Sequence, residues 1–288
     1  MDSYQIRAGW LGPQNVVCIS AEAYAAHVQA RHVLIDAGSF ERRYELLLGN
    51  YLAWEEFCAV ATLRFEIGRI MDYEEGDRLI MEANRHVLNV FSSGKAYVDQ
   101  VGRDFGFLGA EHTFNAHAEQ LIKDAHARSA EYRMTYQLRN RAQHRALPID
   151  GCDAGTKRAE KETIAFYCSK SKIIEDMGKF KKSVLDEAPD KIDLGKVLRG
   201  YMTQISGVHI ALRAKIRPEV DRSRVLITES IRTYAAAQKD PEQLPKGGVG
   251  IEATHWRGEY LLESVPLLLK WDDTRKRLAE KNRYPIKE

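Results

Sequence analysis

A mainly α-helical fold is predicted, an antiparallel helical bundle followed by a mixed, mostly helical C-terminal extension. Apolar residues recur at steps of three and four through three long stretches before residue 148, as one buried face of a helix requires. Short polar or glycine-bearing connections join those stretches, which favours antiparallel neighbours. After Pro148 the texture changes to turn-rich sequence, Asp150-Gly151-Cys152-Asp153-Ala154-Gly155. The chain therefore divides into an N-terminal segment (1–38), a helical core (39–150) and an extension (151–288).

Taken in order, residues 1–37 are mixed, with a short strand at Asn15–Ile19 and Ser20 as N-cap of a helix through about Val33. Ser39 caps the next helix, whose Phe40, Tyr44, Leu47, Tyr51, Val60 and Phe65 form its apolar side to about Ile70. Asp77 opens a further helix through Leu79, Ala83, Val87 and Phe91, interrupted at Ser92-Ser93-Gly94 and resuming to Val101. Gly102, Gly106 and Gly109 mark a loop. A long helix from Thr113 to Leu147 follows, ended by Pro148, which cannot continue the ladder and pushes Leu147 out of the helical region. Beyond it, Thr163–Cys168 reads as a strand, Val208–Ile216 as strand or helix, and Val220–Gln238 as a helix. Leu244–Trp256, with Gly247, Gly248 and Gly250, reads as a loop, and Tyr260–Lys281 as a final helix.

Composition bounds the function. With 288 residues, 44% hydrophobic and 29% charged, the chain can bury a substantial core. No run approaches the roughly 18 apolar residues of a membrane span. Met1-Asp2-Ser3-Tyr4-Gln5 lacks the basic-then-apolar order of a signal peptide, so a cytoplasmic protein without a membrane partner is expected. Cys18, Cys58, Cys152 and Cys168 are widely spaced, which indicates neither a zinc ribbon nor a disulfide framework. A net charge of +2 argues against coating nucleic acid over the whole surface. Local basicity is different: Arg128, Arg133, Arg139, Arg141 and Arg145 are opposed only by Glu131, and Lys170, Lys172, Lys179, Lys181 and Lys182 form a second cluster. Focused positive charge attracts phosphates, although most charge runs are solvated faces.

The residues that stand out lie at the end of the third helix. The stripe Phe114, Ala118, Leu121, Ala125, Ser129, Tyr132, Tyr136 continues at helical spacing onto Asn140 and Gln143, with Arg139 and His144 on its flanks. Burying amide, guanidinium or imidazole groups is unfavourable unless each finds a partner. A polar end to an apolar stripe therefore means an internal network, a wet cleft or an interface. Other motifs are weaker: His112, His117 and His126 lack the i, i+4 spacing of a helical metal pair, and the Gly247 loop lacks the Lys-Ser/Thr of a phosphate loop. No cofactor is expected.

Arg139-Asn140 with His144 five positions after the Arg resembles the motif of the HEPN superfamily (higher eukaryotes and prokaryotes nucleotide-binding), Arg, four to six residues, His, with a polar residue after the Arg. Requiring Asn after the Arg and four intervening residues lowers the chance expectation from about 2 matches to about 0.02. The resemblance covers Leu138 to Pro148 and a helical context around it. It implies a helical bundle closed by a helix after the motif, here from beyond residue 151, and a metal-independent endoribonuclease acting as a homodimer. Arg139, Asn140 and His144 would then be catalytic, with Arg141, Gln143 and Arg145 contacting RNA. It further implies a role as toxin or antiviral defence effector, with an antitoxin or regulatory partner.

The chemistry suits those side chains. Cleavage by the 2′-OH needs a group to take its proton, a group to protonate the departing 5′-oxygen, and positive charge on the transition state. Imidazole titrates near neutrality, and a guanidinium holds phosphate oxygens without losing its charge. On a straight helix Arg139 and His144 lie about 140° apart, so two motifs brought together by a two-fold axis would serve one bond better than one. Two alternatives stand beside this reading: a non-catalytic module binding RNA, nucleotide or protein through the same basic end, and a dimeric scaffold whose polar stripe is an interface network.

Overall fold

The computed structural model describes residues 1–10, 14–68, 72–103, 105, 114–155, 163–239 and 246–287. Gly106, Gly109, Glu111, His112 and Thr113, and the start of the segment from Leu244, lie outside the described residues. The chain is mostly helical with antiparallel sheet. No helix among the described residues is long and apolar enough to cross a membrane.

Two units are formed, each from several stretches of chain. The first comprises Met1–Arg42, Asp104–His112 and Leu212–Arg283. It holds β1 (Asp2–Ala8), β2 (Val17–Ile19), the first part of α1 (Ala21–Glu66) and the last part of α7 (Leu194–Ala236). β6 (Ile251–Arg257), β7 (Tyr260–Pro266) and α8 (Lys270–Lys281) complete it. The second comprises Arg43–Arg103, Thr113–Ala211 and Tyr284–Glu288. It holds the rest of α1 and α7 with α2 (Tyr73–Val101), α3 (Phe114–Arg128), α4 (Ala130–His144), β3 (Gly151–Gly155) and β4 (Thr163–Ser169). The short α5 (Lys170–Glu175), α6 (Lys182–Asp186) and β5 (Lys191–Asp193) also belong to it.

In the first unit the strands run in the order β2-β1-β6-β7, all antiparallel. The alternation Gln5-Ile6-Arg7-Ala8 buries Ile6 and Ala8, and these pair with Ala253 and Ile251 of β6, so the two apolar sets share one face. The expected loop at Leu244–Trp256 is thus a strand in its second half, and the expected helix from Tyr260 begins instead with β7. Ile251-Glu252-Ala253-Thr254 alternates with period two, but its strand identity depends on a partner some 250 positions earlier in the chain. Helix α1 starts as expected, with Ala23 N–H donating to Ser20 Oγ at 3.1 Å. It does not stop at Ser39, because Val33, Leu34, Ala37 and Phe40 continue one buried stripe through that point. Arg213 holds the buried carboxylate of Glu41 through Nε and Nη2, both at 2.7 Å.

In the second unit the buried residues of α1 (Tyr44, Leu47, Tyr51, Trp54, Ala61) and α2 (Leu79, Ala83, Val87, Val90, Tyr97) hold the expected helical spacing. The cap of α2 is Asp72, not Asp77: its Oδ1 accepts from Glu75 N–H at 2.7 Å. Gly94 does not interrupt α2. A Cβ there would stand 2.5 Å from the Tyr201 hydroxyl, so the glycine lets α7 approach. Tyr201 also meets Tyr132 of α4 edge-on at 4.9 Å, and the imidazole of His209 stacks on Tyr44 at 4.0 Å and bonds the Tyr97 hydroxyl at 2.9 Å. In this unit α7 thus packs against α1, α2 and α4. Val208–Ile216 and Val220–Gln238 belong to this one helix up to Ala236, which runs through Pro218.

The helix expected over Thr113–Leu147 is two helices broken at Ser129. Ser129 is extended (φ −106°, ψ 125°) and caps α4, its Oγ accepting from Tyr132 N–H at 3.1 Å. Serine competes for backbone hydrogen bonds and so favours caps over helix interiors. Ser129→Ala removes this cap and is expected to lower stability by about 1 kcal/mol, read as a shift of the urea midpoint at unchanged slope.

Candidate phosphate-handling site

The last two turns of α4 are positioned from both ends. After Arg145, whose backbone (φ −144°, ψ −63°) leaves the helix, the chain is gripped by Asn84 of α2. Its amide donates to Ile149 C=O and its carbonyl accepts from Ile149 N–H, both at 2.9 Å and buried. Asp150 then accepts from Ser169 N–H at 3.0 Å and from Ser169 Oγ at 2.7 Å. The antiparallel pair β3–β4 carries the chain onward to α5 and to the turn Asp176–Phe180. That turn returns to α4: Lys181 N–H donates to Gln137 Oε1 at 3.0 Å, and Arg145 Nη1 donates to Asp176 Oδ1 at 2.8 Å.

Between the two lies a cavity of about 340 Å³, lined by Gln137, Asn140, Arg141, His144 and Arg145 on α4 and by Asp176, Met177, Lys179 and Phe180 opposite. Of the residues singled out in the sequence, Asn140, Arg141, His144 and Arg145 meet here; Arg139 and Gln143 do not line it. The stripe is rotated from the expected one, burying Met134, Leu138 and Arg141 and leaving Tyr136, Gln143 and His144 exposed. The break at Ser129 resets the helical phase, so α3 does not set the face of α4.

Arg139 bonds a residue of the lining without lining the cavity itself. Its Nη1 donates to Asn140 Oδ1 at 2.8 Å, which leaves the Asn140 amide NH₂ as the donor that side chain can offer a ligand. Arg139 also reaches toward Tyr201: burial drives that phenol well above its ordinary range, and Arg139 opposes the shift. Its Nε is buried without a hydrogen-bond partner among the described residues. Arg141, 8% exposed, donates through Nη1 to Leu147 C=O at 3.1 Å. Its Nε stands 3.9 Å from Asp176 Oδ2 and has no acceptor among the described residues, a deficit that costs about 1–3 kcal/mol when left unmade. Lys179 is exposed and forms no ion pair with a described residue. The lining thus carries three permanent cations, one carboxylate and an imidazole.

Three other basic residues of the two clusters are engaged elsewhere: Arg133 with Ala127 C=O and Glu187, Arg128 with Gln204, and Lys170 with Ala188 C=O. Sequence reasoning missed Gln137, Asp176, Met177, Lys179 and Phe180 as one wall. The glycine in Asp176-Met177-Gly178-Lys179 was the available signal, and its φ of +46° uses the conformational freedom that glycine has there.

The cysteines are free. Burial pushes the thiols of Cys58 and Cys168 up to about 12, so little thiolate forms near neutrality. Iodoacetamide at about pH 8 is expected to label the exposed Cys18 and to spare Cys58 and Cys168 until urea is added, as peptide mass spectrometry would show. Labelling of Cys168 in the folded protein would contradict its burial.

Comparison of the chain with protein-family models, with curated proteins and with solved structures finds no match in any of the three.

Proposed function

We propose that this protein is a HEPN-type, metal-independent endoribonuclease that works as a homodimer and leaves 2′,3′-cyclic phosphate and 5′-hydroxyl ends. The observation that carries the reading is the convergence of His144, Asn140, Arg141 and Arg145 on one cavity at the end of α4. His144 takes the proton of the attacking 2′-OH as the O2′–P bond forms. The P–O5′ bond breaks, and the departing oxygen receives a proton from His144 of the second copy. Arg145 and Lys179 hold the phosphate oxygens as charge accumulates, and Asn140 orients the phosphate. The geometry favours a positioning role for Arg139, through Asn140, over direct contact with the phosphate. Gln143, exposed beside His144, is left to contact the RNA strand.

The test is incubation of wild type and His144→Ala with end-labelled structured RNA in excess EDTA, with the product ends identified. Cleavage by wild type alone, giving cyclic-phosphate ends, supports the assignment. Toxicity on expression, relieved by His144→Ala, would extend it to a toxin or defence role. Binding of RNA by both proteins with cleavage by neither would instead favour the non-catalytic binding module, a reading supported by Arg139 lying outside the cavity that holds His144.

A further inference from the structure

Two guanidinium groups at the end of α4 converge on one carboxylate that satisfies only one of them. Asp176 accepts from Arg145 Nη1 at 2.8 Å, while Arg141 Nε, buried and lining the same cavity, stands 3.9 Å from Asp176 Oδ2 with no acceptor among the described residues. The turn that carries Asp176 lies hard against Arg145. A Cβ on Gly178 would stand 2.4 Å from Arg145 Nε, so a side chain there would push the guanidinium away from Asp176, and the φ of +46° also favours glycine. Lys179, next in the chain, adds a third cation to the lining. A planar carboxylate with one charge leaves two positive charges in the cavity unmatched. A tetrahedral phosphate monoester, carrying close to two negative charges near neutrality, offsets more of the three cations than Asp176 does and has the extra oxygen that Arg141 Nε lacks.

We propose that this cavity is a phosphate monoester site and that Asp176 stands in for the phosphate on Arg141 and Arg145 until the ligand displaces it. The proposal rests on reading the end of α4 as a phosphate-handling site, but not on catalysis there. A volume of about 340 Å³ falls at the lower end of the roughly 300–1,000 Å³ range of small-ligand sites, room for one phosphorylated nucleotide unit and not for a length of duplex. The ligand is therefore a free nucleotide or the phosphorylated end of an RNA. Asp176 makes binding conditional, because an incoming phosphate must compete with a carboxylate already in place.

Calorimetric titration of wild type, Asp176→Asn and Lys179→Ala with inorganic phosphate, AMP and adenosine tests this, alongside a short RNA with and without a 5′-phosphate. Asp176→Asn keeps the shape and removes the competing charge, so phosphate and AMP are expected to bind about tenfold tighter, equivalent to about 1.4 kcal/mol. Lys179→Ala, at an exposed position, is expected to weaken both by about threefold without unfolding the protein. Adenosine should not bind. Preference for the 5′-phosphorylated RNA over AMP would identify an RNA end as the source of the phosphate, and the reverse a free nucleotide. Unchanged or weaker phosphate binding by Asp176→Asn, with only a lowered melting temperature, would reduce Asp176 to a structural ion-pair partner and overturn the proposal. So would undiminished binding by Lys179→Ala, or equal binding of adenosine and AMP. RNA cleavage is scored separately: phosphate binding without cleavage sinks the nuclease reading alone, and cleavage without an effect of Asp176→Asn sinks this proposal alone.

Discussion

Asn84→Ala is expected to lower the unfolding free energy by about 3 kcal/mol, because it strips partners from two buried backbone groups at once. Asn84 is 1% exposed and Ile149 2% exposed, so no water replaces the bonds from Asn84 Nδ2 to Ile149 C=O and from Ile149 N–H to Asn84 Oδ1. The methyl of alanine also leaves a void beside Ile80 C=O, which the same amide now satisfies at 3.0 Å. Asn84→Asp separates the two halves of the effect. It preserves an acceptor for Ile149 N–H but sets a carboxylate against Ile149 C=O, and it should destabilise by a similar amount. The local consequence matters more than the global one, because this clamp holds the chain between α4 and β3. Amide exchange at Ile149 should accelerate in Asn84→Ala even where the protein stays folded. Urea unfolding and native-state exchange measure the two parts. A loss under about 1 kcal/mol with unchanged exchange at Ile149 would mean that the Asp150–Ser169 bonds and β3–β4 pairing hold the chain after α4 without the Asn84 clamp.

What sequence could and could not show follows from the range of the interactions concerned. Helix faces were legible wherever a single stripe set them, as in α2 from Leu79 to Tyr97, because 3.6-residue spacing is a local property. The strand at Thr163–Cys168 was legible for the same reason: its apolar, β-branched and aromatic run fits a buried strand without reference to its partners. Strand β6 was not, since Ile251-Glu252-Ala253-Thr254 becomes a strand through pairing with Gln5–Ala8, a contact that no local window contains. Caps misled in both directions. Ser39 has the chemistry of a cap yet sits inside α1, while Ser129, taken as part of a stripe, caps α4. In each case burial on either side decided, and burial is a tertiary property.

The same division runs through the site. Asn140, Arg141, His144 and Arg145 share one helix end, so their clustering was legible from spacing, whereas Asp176 and Lys179 reach it only through the turn after α5 and the close approach of Gly178 to Arg145. Arg139 was legible as a flanking residue but not as a residue bonded to its own neighbour Asn140. On the proposed reading, that bond makes the most motif-like arginine a support and leaves phosphate contact to Arg141 and Arg145, about half a turn and one and two-thirds turns further on. Substitutions along α4 should accordingly differ in kind, with Arg139 acting through orientation and Arg145 through binding.

On the proposed ribonuclease reading, His144→Ala should leave the fold intact and reduce RNA cleavage at least a hundredfold, the lower limit of what a positioned acid or base contributes at about 10²–10⁴. The side chain is exposed at the last residue of α4, so stability should change by no more than about 0.5 kcal/mol. His144→Gln keeps hydrogen-bonding capacity without a titratable ring and should be as inactive as alanine. If His144 only bound RNA, glutamine would rescue. Arg145→Ala should raise KM more than it lowers kcat, because charge on the phosphate is present before as well as during reaction. Arg139→Ala should lower kcat with little change in KM, since it disturbs the placement of Asn140. Mixed dimers of wild type and His144→Ala provide the sharpest arm: with one base and one acid drawn from different copies, a heterodimer should be as inactive as the doubly substituted protein. A heterodimer at half the wild-type rate would place the whole reaction within one subunit, and an active His144→Gln would remove acid–base chemistry from this residue altogether.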